Sequence, residues 1–311
     1  MSGQSLLGGR YELLEPAGGG GMATVWRGRV RGAAGFARTI AIKRMLPSLS
    51  ESEDFAAMFV EEARVVADLS HPHIVQVQDF GQDERGGYFI VMEWVEGLDL
   101  GRWLFAHRRA GLATPWACVA RVGAAIARAL HCAHERADAE DNAAPVFHRD
   151  VTPSNILIDV YGVPKLSDFG LARAMDRITL TTPGVVKGKL AYVAPELVGG
   201  QKASAASDVY SLGVVLWEAL AGRRLFEAGN ELELFVKVGA SQIQPIDELR
   251  SDLPEGLGVC IQRATEKLMP NRYSDARGLA VDLERVLHRH GDGDREALAR
   301  SVASVRDRSL S

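Results

Sequence analysis

The character of the chain changes at Gly97, and that change constrains the fold more than any other feature of the sequence. Before it, residues 11–15, 24–30, 39–44, 74–80 and 88–93 read as five short strands separated by turn-rich stretches. One helical segment, residues 55–69, interrupts them, with Phe55, Phe59, Ala63, Val66 and Leu69 near helical spacing. After Gly97 helical patterns dominate, over residues 98–110, 116–136, 205–221, 231–238, 257–267 and 275–290. An irregular region, residues 145–196, lies among them and holds most of the unusual residues. The expected class is α+β in two lobes: a small β-rich lobe with one main helix, and a larger helical lobe, with chemistry between them. The boundaries read as an extension at 1–10, a small lobe at 11–94, a large lobe at 95–290 and a charged tail at 291–311. The tail is expected to fray, although Leu298, Val302 and Val305 can form one apolar helical stripe.

Composition excludes several classes. A chain of 311 residues can bury a sizeable core without disulfides or metals. Its 36 Lys+Arg against 40 Asp+Glu leave a net charge of −4, which argues against a nucleic-acid or anionic-membrane partner. Three scattered cysteines suit neither a disulfide framework nor a zinc site and point to a reducing, cytoplasmic setting. The first ten residues lack the apolar core of an export signal. The longest apolar helical stretch, residues 209–221, is too short to span a membrane and carries Glu218.

Four consecutive glycines, Gly18 to Gly21, follow one predicted strand and precede another. Such a loop lets backbone N–H groups approach a phosphate closely, or serves simply as a flexible hairpin turn. A dinucleotide-binding fold would want a helix next, and the sequence offers β-like Thr24-Val25-Trp26 instead. Lys43 sits inside the apolar strand Ile40-Ala41-Ile42-Lys43, where a lysine needs either an anionic partner or a solvent-facing position. Glu62 on the predicted helix is the preferred partner, with Glu61 its competitor.

Three further groups follow in order: His148-Arg149-Asp150 with Asn155, then Asp168-Phe169-Gly170, then Ala194-Pro195-Glu196. Together with the glycine loop and Lys43, they make the chain resemble a eukaryotic-type protein kinase of the bacterial Ser/Thr group, over roughly residues 11–287. The resemblance implies the bilobal protein-kinase fold and transfer of the ATP γ-phosphoryl group to protein Ser/Thr hydroxyls, with Mg²⁺ as cofactor. It gives Asp150 the acceptor hydroxyl, Asn155 and Asp168 the metal, and Lys43, paired with Glu62, the ATP phosphates. Ala17, Gly18, Gly19, Gly20 and Gly21 would cover the nucleotide. Val25, Ala41 and Leu157 would pack on adenine, Met92 would be gatekeeper, and Glu93 and Val95 would offer backbone groups. Phe169, His148, Val66 and Val77 would stack as an internal spine, Asp208 would anchor the catalytic loop, and Arg272 would pair with Glu196.

Arg149 marks kinases whose activation loop is ordered by phosphorylation, so Thr179, Thr181 and Thr182 are candidate acceptors, with Thr181 and Thr182 preferred. Autophosphorylation would proceed through a transient homodimer; the protein substrates are unknown. A pseudokinase acting as a nucleotide-binding scaffold is the alternative, favoured slightly by Ala23 and Thr152 and opposed by the full set Lys43, Glu62, Asp150, Asn155 and Asp168.

The chain departs from the family at two linked positions. Where such kinases carry lysine two residues after the catalytic aspartate, it has Thr152; where they carry threonine after Gly188, it has Lys189. A reciprocal exchange is expected, with Lys189 supplying the ammonium and Thr152 the hydroxyl. The alternative is a solvent-facing Lys189 that meets peptide substrates. Residues 137–145 form a polar extension before His148, and this whole pattern is similar to that of myxobacterial kinases.

Overall fold

The computed structural model describes residues 6–20, 23–50, 53–84, 86–138, 140–169, 186–290 and 295–309. The small lobe is a five-stranded antiparallel sheet in the order β1-β2-β3-β5-β4, built from β1 (Tyr11–Gly19), β2 (Ala23–Arg31), β3 (Ala37–Met45), β4 (Val77–Gln82) and β5 (Tyr88–Glu93). The period of two along β3 splits its residues between two cores. Ile40 and Ile42 face Tyr11, Phe89 and Val91, whereas Ala41 and Met45 face Phe59, Ala63, Ile90 and Met92. Lys43 shares the second face, so the pleat turns it toward the helix side of the sheet. That helix is α2 (Glu53–Ala67), preceded by the single turn α1 (Pro47–Ser50).

The large lobe centres on α4 (Trp116–His134), against which α7 (Ala205–Ala221) and α10 (Ala276–His290) pack. Gly123 permits this crossing, because a Cβ there would lie 2.8 Å from Leu216 and 2.9 Å from Leu283 side-chain atoms. A Ser204/Ser207 capping box opens α7 and Gly222, in the left-handed region at φ 67°, ends it. Glu218 within α7 is buried, and Tyr192 Oη and the Leu225 N–H donate to its carboxylate at 2.8 and 3.0 Å. Around this core lie α3 (Leu100–Arg109), α5 (Val186–Leu190), α6 (Pro195–Val198), α8 (Glu231–Ala240) and α9 (Leu257–Ala264). None of the described helices is long and apolar enough to cross a membrane.

Two features differ from the sequence-based expectation. A three-stranded antiparallel sheet, β6 (Gly97–Asp99), β7 (Ile156–Asp159) and β8 (Pro164–Leu166), occupies positions read as helix and irregular chain. Its strands are too short to show a period; Gly97 allows it, since a Cβ there would sit 1.9 Å from the Ile158 carbonyl oxygen. Asp99 then caps α3 by accepting from Arg102 N–H at 2.9 Å. The second difference is the tail, which does not fray: α11 (Arg295–Ser309) buries Leu298, Val302 and Val305 against the large lobe. Trp103 Nε1 donates to Ser301 Oγ at 3.0 Å, and Arg306 pairs with Glu96 at 2.5 Å.

The two lobes are tied at the rear. Val75 N–H donates to the Leu166 carbonyl at 2.9 Å and Leu166 N–H to the His73 carbonyl at 2.8 Å. His73 Nδ1 is also 2.8 Å from the Pro164 carbonyl oxygen, and burial holds its imidazole below the usual histidine range.

Candidate active site

The cleft between the sheets collects the polar residues. On its upper side the side chain of Lys43 is 4% exposed and its Nζ donates to Asp168 Oδ1 at 2.7 Å. Burial raises the Asp168 carboxyl, yet the adjacent Lys43 ammonium more than offsets this and holds it below the usual carboxylate range. With the folded-state value depressed, the pair stabilises the fold in full above the ordinary carboxylate value near 3.8. That contribution is lost only as pH falls through the lower folded value.

Asp168 adopts φ 61°, a left-handed conformation that a short polar side chain tolerates. The turn sends Phe169 back into the core, where its buried ring meets His148 edge-on at 4.6 Å. His148 is fully buried: its Nε2 donates to the Ser167 carbonyl at 2.8 Å, and its Nδ1 accepts from Asp150 N–H at 3.2 Å. One imidazole thus links the segments carrying both aspartates.

Arg149 also has a positive φ of 65°, and Asp208 in the first turn of α7 stabilises that bend. The Asp208 carboxylate accepts from His148 N–H at 2.7 Å, Arg149 N–H at 2.8 Å and His134 Nε2 at 2.9 Å. Asp150, pushed into the cleft by this loop, has a side chain only 10% exposed. Asn155 Nδ2 donates to the Asp150 carbonyl at 2.8 Å and to its Oδ2 at 3.0 Å, and Lys189 Nζ donates to the same Oδ2 at 2.5 Å. Among the described residues no hydrogen bond reaches Asp150 Oδ1, which leaves that oxygen open to an incoming hydroxyl. Ser167 N–H and Oγ both donate to the Asn155 carbonyl, at 2.9 and 3.1 Å, holding Asn155 beside the start of the Asp168 turn.

Above these groups, β1 and β2 pair with a register shift between Pro16 and Gly18 that leaves Ala17 without a partner. A Cβ added at Gly18 or Gly20 would meet nothing within 4 Å, so packing does not demand glycine there and the backbone stands open to a ligand. Val25, Val95 and Leu157 pack on the cluster containing Ala41 and Met92, which forms an apolar slot between the lobes.

This geometry can be compared with known proteins. The chain matches the protein kinase domain family over residues 11–274. The chain belongs to the protein kinase family. A tyrosine-protein kinase of Myxococcus xanthus, MasK, is 40% identical over 285 residues, covering 92% of this chain and 44% of that protein. Serine/threonine-protein kinase PknA of Mycobacterium tuberculosis is 37% identical over 271 residues, covering 86% of this chain and 59% of that protein. A probable serine/threonine-protein kinase of Clostridium perfringens is 35% identical, covering 90% and 39%. The chain therefore spans less than two thirds of the length of these relatives. The crystal structure of the M. tuberculosis PknI kinase domain superposes with a TM-score of 0.67 at 26% identity, covering 92% of this chain and 99% of that one. The fold is accordingly the bilobal protein-kinase fold.

Within the kinase domain the sequence-derived site residues divide into groups. Lys43, Asp150, Asn155, Asp168 and Lys189 converge on the cleft. Val66 and Val77 line the same rear cavity as Phe169. Arg272 and Glu196 form a bidentate pair at 2.7 Å for both bonds, with side chains 0% and 5% exposed. Gly21, the Glu62 side chain, Gly170, Thr179, Thr181 and Thr182 lie outside the described residues.

Glu93 N–H donates to the Gln76 carbonyl at 2.9 Å. One reading needs correction. The hydroxyl half of the 152/189 exchange is absent: Thr152 Oγ1 pairs with Ser154 Oγ at 3.0 Å, and no bond from it reaches Lys189 or Asp150. Sequence reasoning missed the Glu93 side chain, whose Oε1 accepts from Gln76 N–H at 2.9 Å and Lys165 Nζ at 2.8 Å. The chain has only seven lysines, and that scarcity is the signal that could have flagged Lys165.

Proposed function

We propose that the chain is an active protein kinase that transfers the γ-phosphoryl group of ATP to serine or threonine hydroxyls of proteins. The observation that carries this reading is the pairing of one aspartate with an open oxygen, Asp150, with a second held by a buried lysine, Lys43–Asp168. Phosphoryl transfer depends on positioning and charge neutralisation rather than covalent catalysis, and the cleft supplies both.

Asp150 Oδ1 would receive the acceptor proton as the hydroxyl oxygen forms its bond to the γ-phosphorus. The bond from that phosphorus to the β–γ bridging oxygen breaks, and ADP leaves. Lys43 would move between Asp168 and the nucleotide phosphates, and the backbone at Gly18 to Gly20 would cover them. The donor set fits Mg²⁺: Asp168 offers a carboxylate, and Asn155, with its amide nitrogen turned to Asp150, keeps a side-chain oxygen. Among the described residues no cluster of three or more His, Cys, Asp or Glu could cage a metal, which suits a hard cation held mainly by substrate phosphates and water. Bound there, Mg²⁺ would neutralise charge on the phosphates.

Relatives named as serine/threonine kinases support the acceptor class, whereas the M. xanthus relative is named as a tyrosine kinase. Free cysteines Cys118, Cys132 and Cys260 support a reducing, cytoplasmic setting. The near-balanced charge of −4 supports protein rather than nucleic-acid or membrane partners; self-modification would proceed through a transient homodimer.

The test is incubation with Mg-ATP and three peptide pools whose only hydroxyl acceptor is serine, threonine or tyrosine. Labelling of the serine and threonine pools is expected. Labelling of the tyrosine pool alone would overturn the acceptor class, and no labelling despite ATP binding would replace the reading with a nucleotide-binding scaffold.

A further inference from the structure

We infer that Lys189 is the catalytic cation of this site, supplied by the segment between Asp168 and Glu196 rather than by the catalytic loop. The inference rests on the proposed transfer reaction and deepens it.

Its basis is the placement of charge around Asp150. Between Asp150 and Asn155 the sequence is Val151-Thr152-Pro153-Ser154, with no cationic side chain. Thr152 is 4% exposed and its short side chain is turned to Ser154. Lys43, the buried ammonium of the cleft, is paired with Asp168 at 2.7 Å. Lys189, on the single turn α5, places its Nζ 2.5 Å from Asp150 Oδ2, the oxygen that also accepts from Asn155. The Lys189 side chain is 43% exposed, so the ammonium reaches in from the mouth of the cleft, where an acceptor would enter.

A lysine suits this position because its ammonium is compact and its four-carbon stem is flexible. Before transfer, Lys189 balances the Asp150 carboxylate and holds Oδ2, leaving Oδ1 for the acceptor. As the hydroxyl proton reaches Asp150, that carboxylate loses its charge and its hold on Lys189. At the same moment negative charge builds on the oxygens of the transferred phosphoryl group, and the ammonium follows it. The cation and the segment that must position a peptide acceptor are then one element.

The experiment compares wild type with Lys189→Met, Lys189→Arg, Lys189→Thr and the relocation variant Thr152→Lys/Lys189→Thr in steady-state transfer to a serine peptide. ATP binding is measured separately by thermal shift with Mg-ATP. Lys189→Met is expected to lower kcat about 100-fold while leaving KM for ATP within about threefold, the scale for losing one charge-stabilising group. Lys189→Arg retains a substantial part of the activity. The relocation variant regains at least about tenfold over Lys189→Thr, because an ammonium again stands beside Asp150. The inference falls if Lys189→Met keeps a kcat near wild type, or raises only the peptide KM, which would make Lys189 a docking residue. It falls equally if relocation restores nothing. Failure of the underlying kinase reading is distinct, since wild type itself would then transfer no phosphate while still binding ATP.

Discussion

Replacing Asp168 with alanine is expected to reduce phosphoryl transfer about a thousandfold or more, the equivalent of several kcal/mol of lost charge stabilisation. The carboxylate accepts from Lys43 Nζ at 2.7 Å, and it is also a hard oxygen donor for a metal. Its removal affects two charges at once: the site loses a metal ligand, and Lys43, with a side chain 4% exposed, loses this counter-ion. Binding should weaken along with chemistry, so the thermal shift produced by Mg-ATP should shrink in the variant while that produced by ATP without metal changes less. Isothermal titration with and without Mg²⁺, beside a transfer assay, checks both parts. Transfer at more than a tenth of the wild-type rate would remove Asp168 from the reaction.

Arg272→Ala is expected to cost about 3–5 kcal/mol, because it strands the Glu196 carboxylate without its bidentate partner in the interior. The guanidinium has a side-chain exposure of 0% and does more than pair with Glu196. Its nitrogens also donate to the carbonyls of Ala206, Glu266 and Lys267, at 3.2, 2.5 and 2.8 Å. Its charge lies 4.8 Å from the centroid of the Tyr210 ring. One side chain thereby joins α6, the start of α7 and the loop after α9. Urea unfolding monitored by tryptophan fluorescence should show a lower midpoint for Arg272→Ala. Glu196→Gln, which keeps the shape and part of the hydrogen bonding, should fall between it and wild type. Equal midpoints for all three proteins would contradict the assignment of this pair as a structural clamp.

The parts of the fold that were legible in the sequence are those with a local signature. The strands of the small lobe alternate, α4 and α10 repeat with helical period and α7 stands out as one long apolar run, so the division at Gly97 could be read directly. The β6–β8 sheet could not, because strands of three or four residues are defined by pairing between distant segments and carry no period of their own. The tail was half legible: Leu298, Val302 and Val305 fall at i, i+4 and i+7, but their charged neighbours suggested solvent rather than the large-lobe surface at Trp103, which donates to Ser301 of the tail.

The site divides in the same way. Asp150 and Asn155 are separated by five positions and their hydrogen bonds are local to one loop, so sequence spacing brings them together. Lys43 and Asp168 are 125 positions apart, and Lys165 and Glu93 are 72 apart; only the folded sheet brings either pair together. Lys189 was noticed because it breaks the family pattern, yet the sequence could not decide between a solvent-facing ammonium and one aimed at Asp150. Nor could it show that the Thr152 hydroxyl would turn to Ser154.

The most direct measurement of the central claim is the intact mass of the purified chain after incubation with Mg-ATP, beside an Asp150→Asn control and a generic protein acceptor such as casein. Phosphate on the chain or on the acceptor with wild type, and on neither with the control, is the predicted result. An unmodified chain and acceptor under conditions where Mg-ATP raises the melting temperature would contradict it, as would equal labelling by wild type and Asp150→Asn.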